Sequence, residues 1–481
     1  LFRYRIMKAP TRRNEITKDW VHFMLNEYEN RTNNGAKVTI KSLDISKATK
    51  PGDGYSGDLM KLDITAAVHC DGEKNPEDKE YNLIVKLANP NQVISMMQTV
   101  MGQNIRELTA YSELITDFNK FQSERTNNEL QIRIPEYIYG KCADDEFVLV
   151  MQNMKSCDFD TNNKIEPMNI HQAKMVLEQL ARLHAISYAY DKKYGFLKKF
   201  PFYKVDNIKT MFNIGFKSLY DDLIIEYIGT LSGRETLLKK IKAAKSTVLK
   251  DADEAFEEGS FLNIMCLMHG DTWNNNIIFK QKLDKEGEKS VKNSDDLVLI
   301  DWQLTHWNTS VADLYYFLFS STTPEIRKDH LEELLQYYHY IFIDATTKLS
   351  SPVPFWTYKQ FKQEYNRLAS YGFLKGIMFT LMLSDAAQEF KFAPEGSGDD
   401  NFITKKIKTG LSKLIAPMLM KPFAMEAYTK KMIQPMKKEL LSGKTPTFSQ
   451  RILSIVLEAE ENGLFDVELP SNQRSGTFKC I

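Results

Sequence analysis

Apolar residues recur along this chain with two periods, and the switches between them mark its elements. Ile16, Trp20, Phe23, Met24 and Tyr28 fall at helical spacing, which predicts an amphipathic helix over residues 15–30 that packs on its neighbours. The stretch from Lys50 to Asp58 then gathers Gly52, Gly54 and Gly57 into a flexible turn. It enters a run alternating at Met60, Leu62, Ile64, Ala66 and Val68, the pattern of a half-buried strand. A polar turn from Cys70 to Glu80 leads to a second strand, Tyr81 to Ala88. Helical spacing returns at Ile105, Leu108, Tyr111, Ser112 and Ile115. Two further strands are predicted at Ile132–Pro135 and Phe147–Met151, joined by the acidic turn at Asp144, Asp145 and Glu146.

From Asn169 the pattern is helical, with Ala173, Leu177, Leu180, Ala181 and His184 on one face, so His184 reads as a satisfied core histidine. Residues 191–260 carry Phe196, Phe200, Phe202, Tyr203, Phe212 and Phe216 ahead of charged helical sequence. Packing accounts for such aromatics more often than a ligand does. Two short apolar runs, Ile277–Phe279 and Leu297–Ile300, flank a Lys-, Asp-, Glu- and Ser-rich stretch from Gln281 to Asp296 that reads as a solvated loop. Residues 325–460 alternate amphipathic helices with breaks at Ser350–Pro352, Pro394–Gly398 and Pro446, and from Leu464 the chain reads as a loose tail.

Composition narrows the class. At 481 residues, 43% hydrophobic and 26% charged, the chain is an ordinary globular protein long enough for one large two-lobed unit or two to three domains. Lys+Arg and Asp+Glu both total 63, and this balance sets nucleic acid aside as a partner. Five cysteines (Cys70, Cys142, Cys157, Cys266, Cys480) without a C-x-x-C pair argue for free thiols and a cytoplasmic setting. No apolar run reaches the ~18 residues of a membrane span, so no membrane is expected. The opening Leu1–Arg5 carries no hydrophobic signal segment, and a start at Leu leaves room for residues upstream. The sequons at Asn30 and Asn308 read as chance, and the eight histidines include no H-E-x-x-H zinc pattern.

The chemistry concentrates in two stretches. The first is Met268-His269-Gly270-Asp271-Thr272-Trp273-Asn274-Asn275-Asn276, running into an apolar strand; the second is Leu297-Val298-Leu299-Ile300-Asp301-Trp302-Gln303. Two carboxylates and an amide are thus presented at strand ends. A hydroxyl nucleophile needs a carboxylate to orient it and take its proton, and a triphosphate needs Mg²⁺ held by oxygen ligands. Asp271 suits the first task, and Asn276, five residues on, suits the second together with Asp301. The arrangement follows the kinase scheme of a catalytic-loop Asp and Asn with a later metal-binding Asp. Upstream, Lys86 is the sole charge in the run from Leu83 to Ala88, and an ammonium there must find a partner.

These stretches resemble the kinase-like small-molecule phosphotransferases, namely the aminoglycoside phosphotransferases and choline kinases. Within that superfamily they look most like the ecdysteroid-kinase-like (CHK kinase-like) proteins, whose loop reads H-G-D-x-W-x-x-N. The resemblance covers roughly residues 40–420, with 268–303 its specific part. It implies an α+β, two-lobed protein-kinase-like fold: a small antiparallel-sheet N-lobe over residues 1–151, a large helical C-lobe over 152–463, then the tail. It implies ATP and Mg²⁺ as cofactors, and γ-phosphoryl transfer to the hydroxyl of a small-molecule alcohol, ecdysteroid-like or xenobiotic; the sequence leaves the oligomeric state open, with a monomer as the default. By resemblance Asp271 is the catalytic base, and Asn276 and Asp301 are the metal ligands. Lys86 holds the phosphates and Glu107, twenty-one residues on, pairs with it. Gly52, Gly54 and Gly57 cover the phosphates, although the family's loop is closer to G-D-N-Y-x-S. Met151 and Asn153 fall at the hinge that meets the adenine, where Gln152 and Asn153 replace the relatives' acidic residues and leave ATP against GTP open. Asp313, in Ser310–Phe317, is expected to brace the catalytic loop. The H-G-D form and the lack of an A-P-E segment speak against a protein kinase. Alternatives are a choline/ethanolamine-type kinase and a catalytically silent kinase-like binding module, the latter disfavoured because all five key positions carry competent residues.

Overall fold

The protein is described from a computed structural model that covers residues 7–32, 35–48, 57–70, 75–89, 92–143, 146–162, 166–204, 206–254, 264–283, 287–386 and 421–467. Gly52, Gly54 and Cys480 lie outside the described residues. Among the described residues, those of Leu1–Thr116 and Ile134–Asp160 form one compact unit; those of Asp117–Arg133, Thr161–Ala393 and Pro417–Ile481 form the other.

The first unit is built on the alternating runs. Helix α1 (Lys18–Thr32) begins later than its apolar spacing suggested, because Thr17 Oγ1 accepts the Trp20 N–H at 3.2 Å and closes the cap. Strands β1 (Lys37–Lys47), β2 (Asp58–His69), β3 (Glu77–Leu87), β4 (Tyr137–Ala143) and β5 (Glu146–Gln152) form an antiparallel sheet in the order β1-β2-β3-β5-β4. Helices α2 (Gln92–Val100) and α3 (Gln103–Thr109) follow β3, and α3 continues through a π turn, Ala110–Leu114, into α4 (Ile115–Thr126). The strand predicted at Ile132–Pro135 begins at Tyr137 instead. Asn119 takes both backbone groups of Ile132, each at 2.8 Å, and Pro135 has no N–H to give a ladder.

Met60, Leu62, Ile64, Ala66 and Val68 of β2 are buried with Leu83, Val85 and Leu87 of β3 and Val148 and Val150 of β5, against Trp20, Val21, Met24 and Leu25 of α1. Because strand side chains alternate faces, this register sends Lys86, between Val85 and Leu87, to the face away from α1.

A short strand β6 (Phe159–Thr161) lies where the chain passes into the second unit and precedes α5 (Ile170–Tyr194), which opens on a reciprocal Asn169–Gln172 capping box and ends at Gly195, φ +73°. Helices α6 (Phe196–Lys199), α7 (Asp206–Leu219), α8 (Ile225–Gly229) and α9 (Glu235–Glu254) cover the aromatic-rich stretch. Phe196, Phe200 and Tyr203 pack on one another, and Phe196 stacks on Trp307 at 4.8 Å, so these rings serve the core. Strands β7 (Met265–Met268), β8 (Ile277–Lys280), β9 (Lys282–Leu283), β10 (Lys289–Ser290), β11 (Leu297–Leu299) and β12 (His306–Thr309) follow. β8 pairs with β11 and β7 with β12, both antiparallel.

Helices α10 (Ser310–Ser321), α11 (Pro324–Lys348), α12 (Tyr358–Arg367), α13 (Ala369–Met382), α14 (Pro422–Ser442) and α15 (Pro446–Glu461) complete the unit. α5 packs on α11 and β7, and α10 packs on α13. A Cβ on Gly372 would lie 2.0 Å from Tyr315 Cδ1, so α13 meets α10 closely enough to require glycine there. Leu464 and Phe465, expected to open a loose tail, are buried, and Phe465 meets Phe373 edge-on at 5.5 Å. Among the described residues no helix is long and apolar enough to cross a membrane, and Cys70, Cys142, Cys157 and Cys266 are free thiols.

Candidate active site

In the first unit, Lys86 and Glu107 meet. Lys86 Nζ donates to Glu107 Oε1 at 2.7 Å, with the residues 5% and 1% exposed. A bare ammonium at that depth would be costly, and the carboxylate from α3 answers it. Gly57 lies over the same strand end: a Cβ there would stand 2.5 Å from Leu87 O and 3.3 Å from Lys86 Cγ, so only glycine lets the incoming chain approach this closely. Met151 is buried in β5. The Asn153 N–H is committed to Asn82 O at 2.8 Å, and its side chain caps the turn Met154–Cys157 through the Lys155 N–H.

In the second unit, the strand pairs set the loop between β7 and β8 beside the segment between β11 and β12. His269 Nε2 donates to Ile300 O at 3.1 Å, leaving Nδ1 to accept the Asp271 N–H at 3.3 Å. Burial pushes the His269 pKa down, so the ring is neutral and this tautomer holds. Ile300 N donates to Asn276 O at 3.0 Å, and Thr305 Oγ1 to His269 O at 3.2 Å. Gly270 has φ +79°, and a Cβ there would stand 2.3 Å from Leu304 O, so both backbone and space demand glycine.

Beneath the loop sits Asp313 of α10, fully buried. Its Oδ2 accepts the His269 N–H at 2.7 Å and lies 3.2 Å from His184 Nε2, and its Oδ1 accepts the Gly270 N–H at 2.8 Å. His184 Nδ1 is in turn 2.8 Å from the Tyr338 hydroxyl. Burial pushes the Asp313 carboxyl up, but His184, His269 and the Gly270 N–H outweigh it and the pKa is lowered.

Asp271 is gripped on both oxygens. Asn276 Nδ2 donates to Oδ2 at 2.8 Å and to the Asp271 carbonyl at 2.9 Å, and the Tyr316 hydroxyl donates to Oδ1 at 2.5 Å. With Nδ2 committed, Oδ1 is the Asn276 atom that faces a cation's demands. Burial and then the Asp301 charge push the Asp271 pKa up; Tyr316, Lys375 and Asn276 restrain it. Lys375 of α13 is buried, with Nζ 4.7 Å from the Tyr316 ring centroid, and burial pushes its pKa down against the pull of Asp271 and Asp313. The Tyr316 phenol is pushed far up by burial and by Asp271, so it remains a proton donor to that carboxylate. Asp301 follows β11 in the left-handed region, φ +65°, strain on the order of 1 kcal/mol for a residue with a Cβ.

Asp301 and the Asn276 amide are hard oxygen donors of the kind Mg²⁺ takes when phosphate oxygens complete the shell. Among the described residues no group of three or more His, Cys, Asp or Glu is placed to hold a metal ion. The pairs Lys86–Glu107 and Asp271–Asn276 are each brought together, and Asp301 lies close enough to Asp271 to act on its charge. Sequence reasoning missed Tyr316 and Lys375.

The sequence profile of the ecdysteroid kinase-like family matches residues 51–351. No curated protein sequence matches the chain. Among solved structures, a choline kinase from Cryptosporidium parvum is similar at 11% identity and TM-score 0.37, over 79% of this chain and 92% of that one. An ethanolamine kinase from Plasmodium vivax is similar at 12% and 0.34, over 86% and 91%. The GDP complex of aminoglycoside 2'-phosphotransferase-IIIa is similar at 11% and 0.36, over 82% and 98%.

Proposed function

The chain belongs to the ecdysteroid kinase-like family, whose profile spans more than half of it, and from that premise we propose that it is an ATP-dependent phosphotransferase acting on the hydroxyl of a small alcohol, steroid-like or xenobiotic. The observation that carries the reading is the carboxylate of Asp271, fixed by Asn276 and Tyr316 and raised in pKa by burial. A base held in one orientation, with a pKa moved toward neutrality, suits the removal of a hydroxyl proton.

In this reading the acceptor hydroxyl donates to Asp271, which takes the proton as the oxygen attacks the γ-phosphorus and the bond from that phosphorus to the β,γ-bridging oxygen breaks, releasing ADP. Asn276 and Asp301 would hold Mg²⁺, which would supply neutralisation of phosphate charge. Lys86, kept in place by Glu107, binds the nucleotide's phosphates. The transition state is loose, so the chain's contribution is positioning and charge.

The test is ATP consumption with a panel of alcohols, by wild type and Asp271→Asn. Loss of the base should cost on the order of 10²–10⁴-fold in rate, while nucleotide with Mg²⁺ still raises the melting temperature. Near-normal turnover by Asp271→Asn would reject the assignment.

A further inference from the structure

The junction of α5 and α6 carries charge that neither the fold nor the proposed reaction uses. From Asp191 to Lys204 the chain has five lysines, one aspartate and no arginine, although its Lys+Arg and Asp+Glu totals are equal. All five lysines are exposed. Asp191 is turned inward, its Oδ1 accepting the Phe196 N–H at 2.7 Å, and Asp117 pairs with Lys199. Lys192, Lys193 and Lys198 crowd the turn at Gly195. A Cβ on Gly195, φ +73°, would stand 3.0 Å from Lys198 Cδ, so glycine lets the Lys198 stem lie on the turn beside the end of α5. Tyr194 sits among these lysines and is 50% exposed. Its ring is held from within by Tyr190 at 4.9 Å and Phe121 at 6.0 Å, and Lys193 Nζ lies 5.1 Å from its centroid. The outer half of the ring is thus presented in a fixed orientation.

Ammonium groups around a half-exposed, pre-ordered tyrosine match the boundary of an anionic bilayer, where lysines meet negative headgroups and an amphipathic ring rests at headgroup level. A phosphopeptide or nucleic acid is recognised largely through arginine forks. This run has none, and Arg125, nearby on α4, is committed to the Phe121 ring and carbonyl. Point charges on flexible stems suffice for a diffuse lipid surface. We propose that the end of α5 and α6 is a docking surface for an anionic phospholipid bilayer, with Lys192, Lys193 and Lys198 against the headgroups and the Tyr194 ring among them. The contact is peripheral and needs no membrane-crossing helix, of which there is none among the described residues. Each lysine near such a surface adds about 5-fold to binding, so three contribute on the order of 100-fold.

Flotation of the full chain with lipid vesicles reads binding directly and needs no turnover, so its outcome is independent of the phosphotransferase reading. At about 0.1 M NaCl wild type should bind vesicles of phosphatidylcholine with about 30% phosphatidylserine at least ~10-fold more tightly than phosphatidylcholine alone, and should lose that preference at about 0.5 M. Lys192→Glu with Lys193→Glu and Lys198→Glu should weaken binding on the order of 100-fold or more. Lys37→Glu with Lys41→Glu and Lys47→Glu makes the same change of net charge at exposed positions of β1 and should bind like wild type. Tyr194→Ser should weaken binding while leaving its salt dependence in place. Equal binding to the two vesicles, equal loss in the two triple variants, unaltered binding by Tyr194→Ser, or displacement by an equal charge of single-stranded oligonucleotide would overturn the proposal. The wild-type comparison of lipids and salt stands even where a variant folds poorly.

Discussion

Replacing Asp313 by Asn tests whether the catalytic loop is held from below. The carboxylate carries the His269 N–H, the Gly270 N–H and the His184 ring on two oxygens. An asparagine keeps one acceptor oxygen and turns an NH₂ toward a group that is itself a donor. One backbone N–H then loses its partner in a fully buried site, and the remaining bonds lose their charge. Hydrogen bonds to a charged acceptor are worth about 1.5–3 kcal/mol each, and a buried donor left unsatisfied costs about 1–3 kcal/mol. The expected loss is about 3 kcal/mol, a drop in melting temperature on the order of 5 °C. Because the loop carries Asp271, a displacement near 1 Å should also lower ATP turnover on the order of 10²-fold. Acid provides an internal control. The folded-state pKa of Asp313 lies below its unfolded value, so its contribution is present above about pH 4 and is lost as pH falls through the folded value. The gap between wild type and Asp313→Asn should therefore narrow below about pH 4. A variant that melts within about 1 °C of wild type and turns over ATP normally would refute the brace.

Gly270→Ala should fold but lose ATP turnover by at least ~10²-fold, because its Cβ would meet Leu304 O at 2.3 Å in a backbone conformation alanine resists; unimpaired turnover with an intact circular dichroism spectrum would contradict this. Lys86→Met takes the ammonium from the buried Glu107 carboxylate and should cost about 3–5 kcal/mol, whereas Lys86→Met with Glu107→Leu should recover most of it. Equal melting temperatures for the single and double variants would argue against a structural ion pair. Glu364, buried among Thr309 and Trp356, has its pKa pushed up by burial to about 7. Its contribution is complete below about pH 4.5 and is lost as pH rises through about 7, a decline on the order of 3 kcal/mol. Glu364→Gln should flatten that limb of the melting profile, and an unchanged slope would show that another group titrates there.

The two strand-end motifs and strands β2, β3 and β5 were legible because periodicity and spacing are local, whereas β1 was not predicted. Alternation in β2 announced a buried face, and a lone lysine in an apolar strand announced an ion pair. Ile132–Pro135 misled because apolar residues before a proline look like a strand, whereas the bonds that decide the matter come from Asn119, a side chain thirteen residues away in sequence. Tyr316 was hidden inside an all-buried helix, where its apolar neighbours gave no sign that its hydroxyl reaches Asp271. Lys375 carried the same signal as Lys86, a single charge in an apolar run, but at helical spacing the signal names no partner until the helix is placed.

Asp301 sits where a residue without a Cβ, or with a short polar side chain, rests most easily. Exchange for asparagine or glycine therefore removes a negative charge while leaving the backbone at ease. On the proposed function, a descendant with asparagine or glycine at this position would lose the negative charge without backbone strain, and its fold would not register the change.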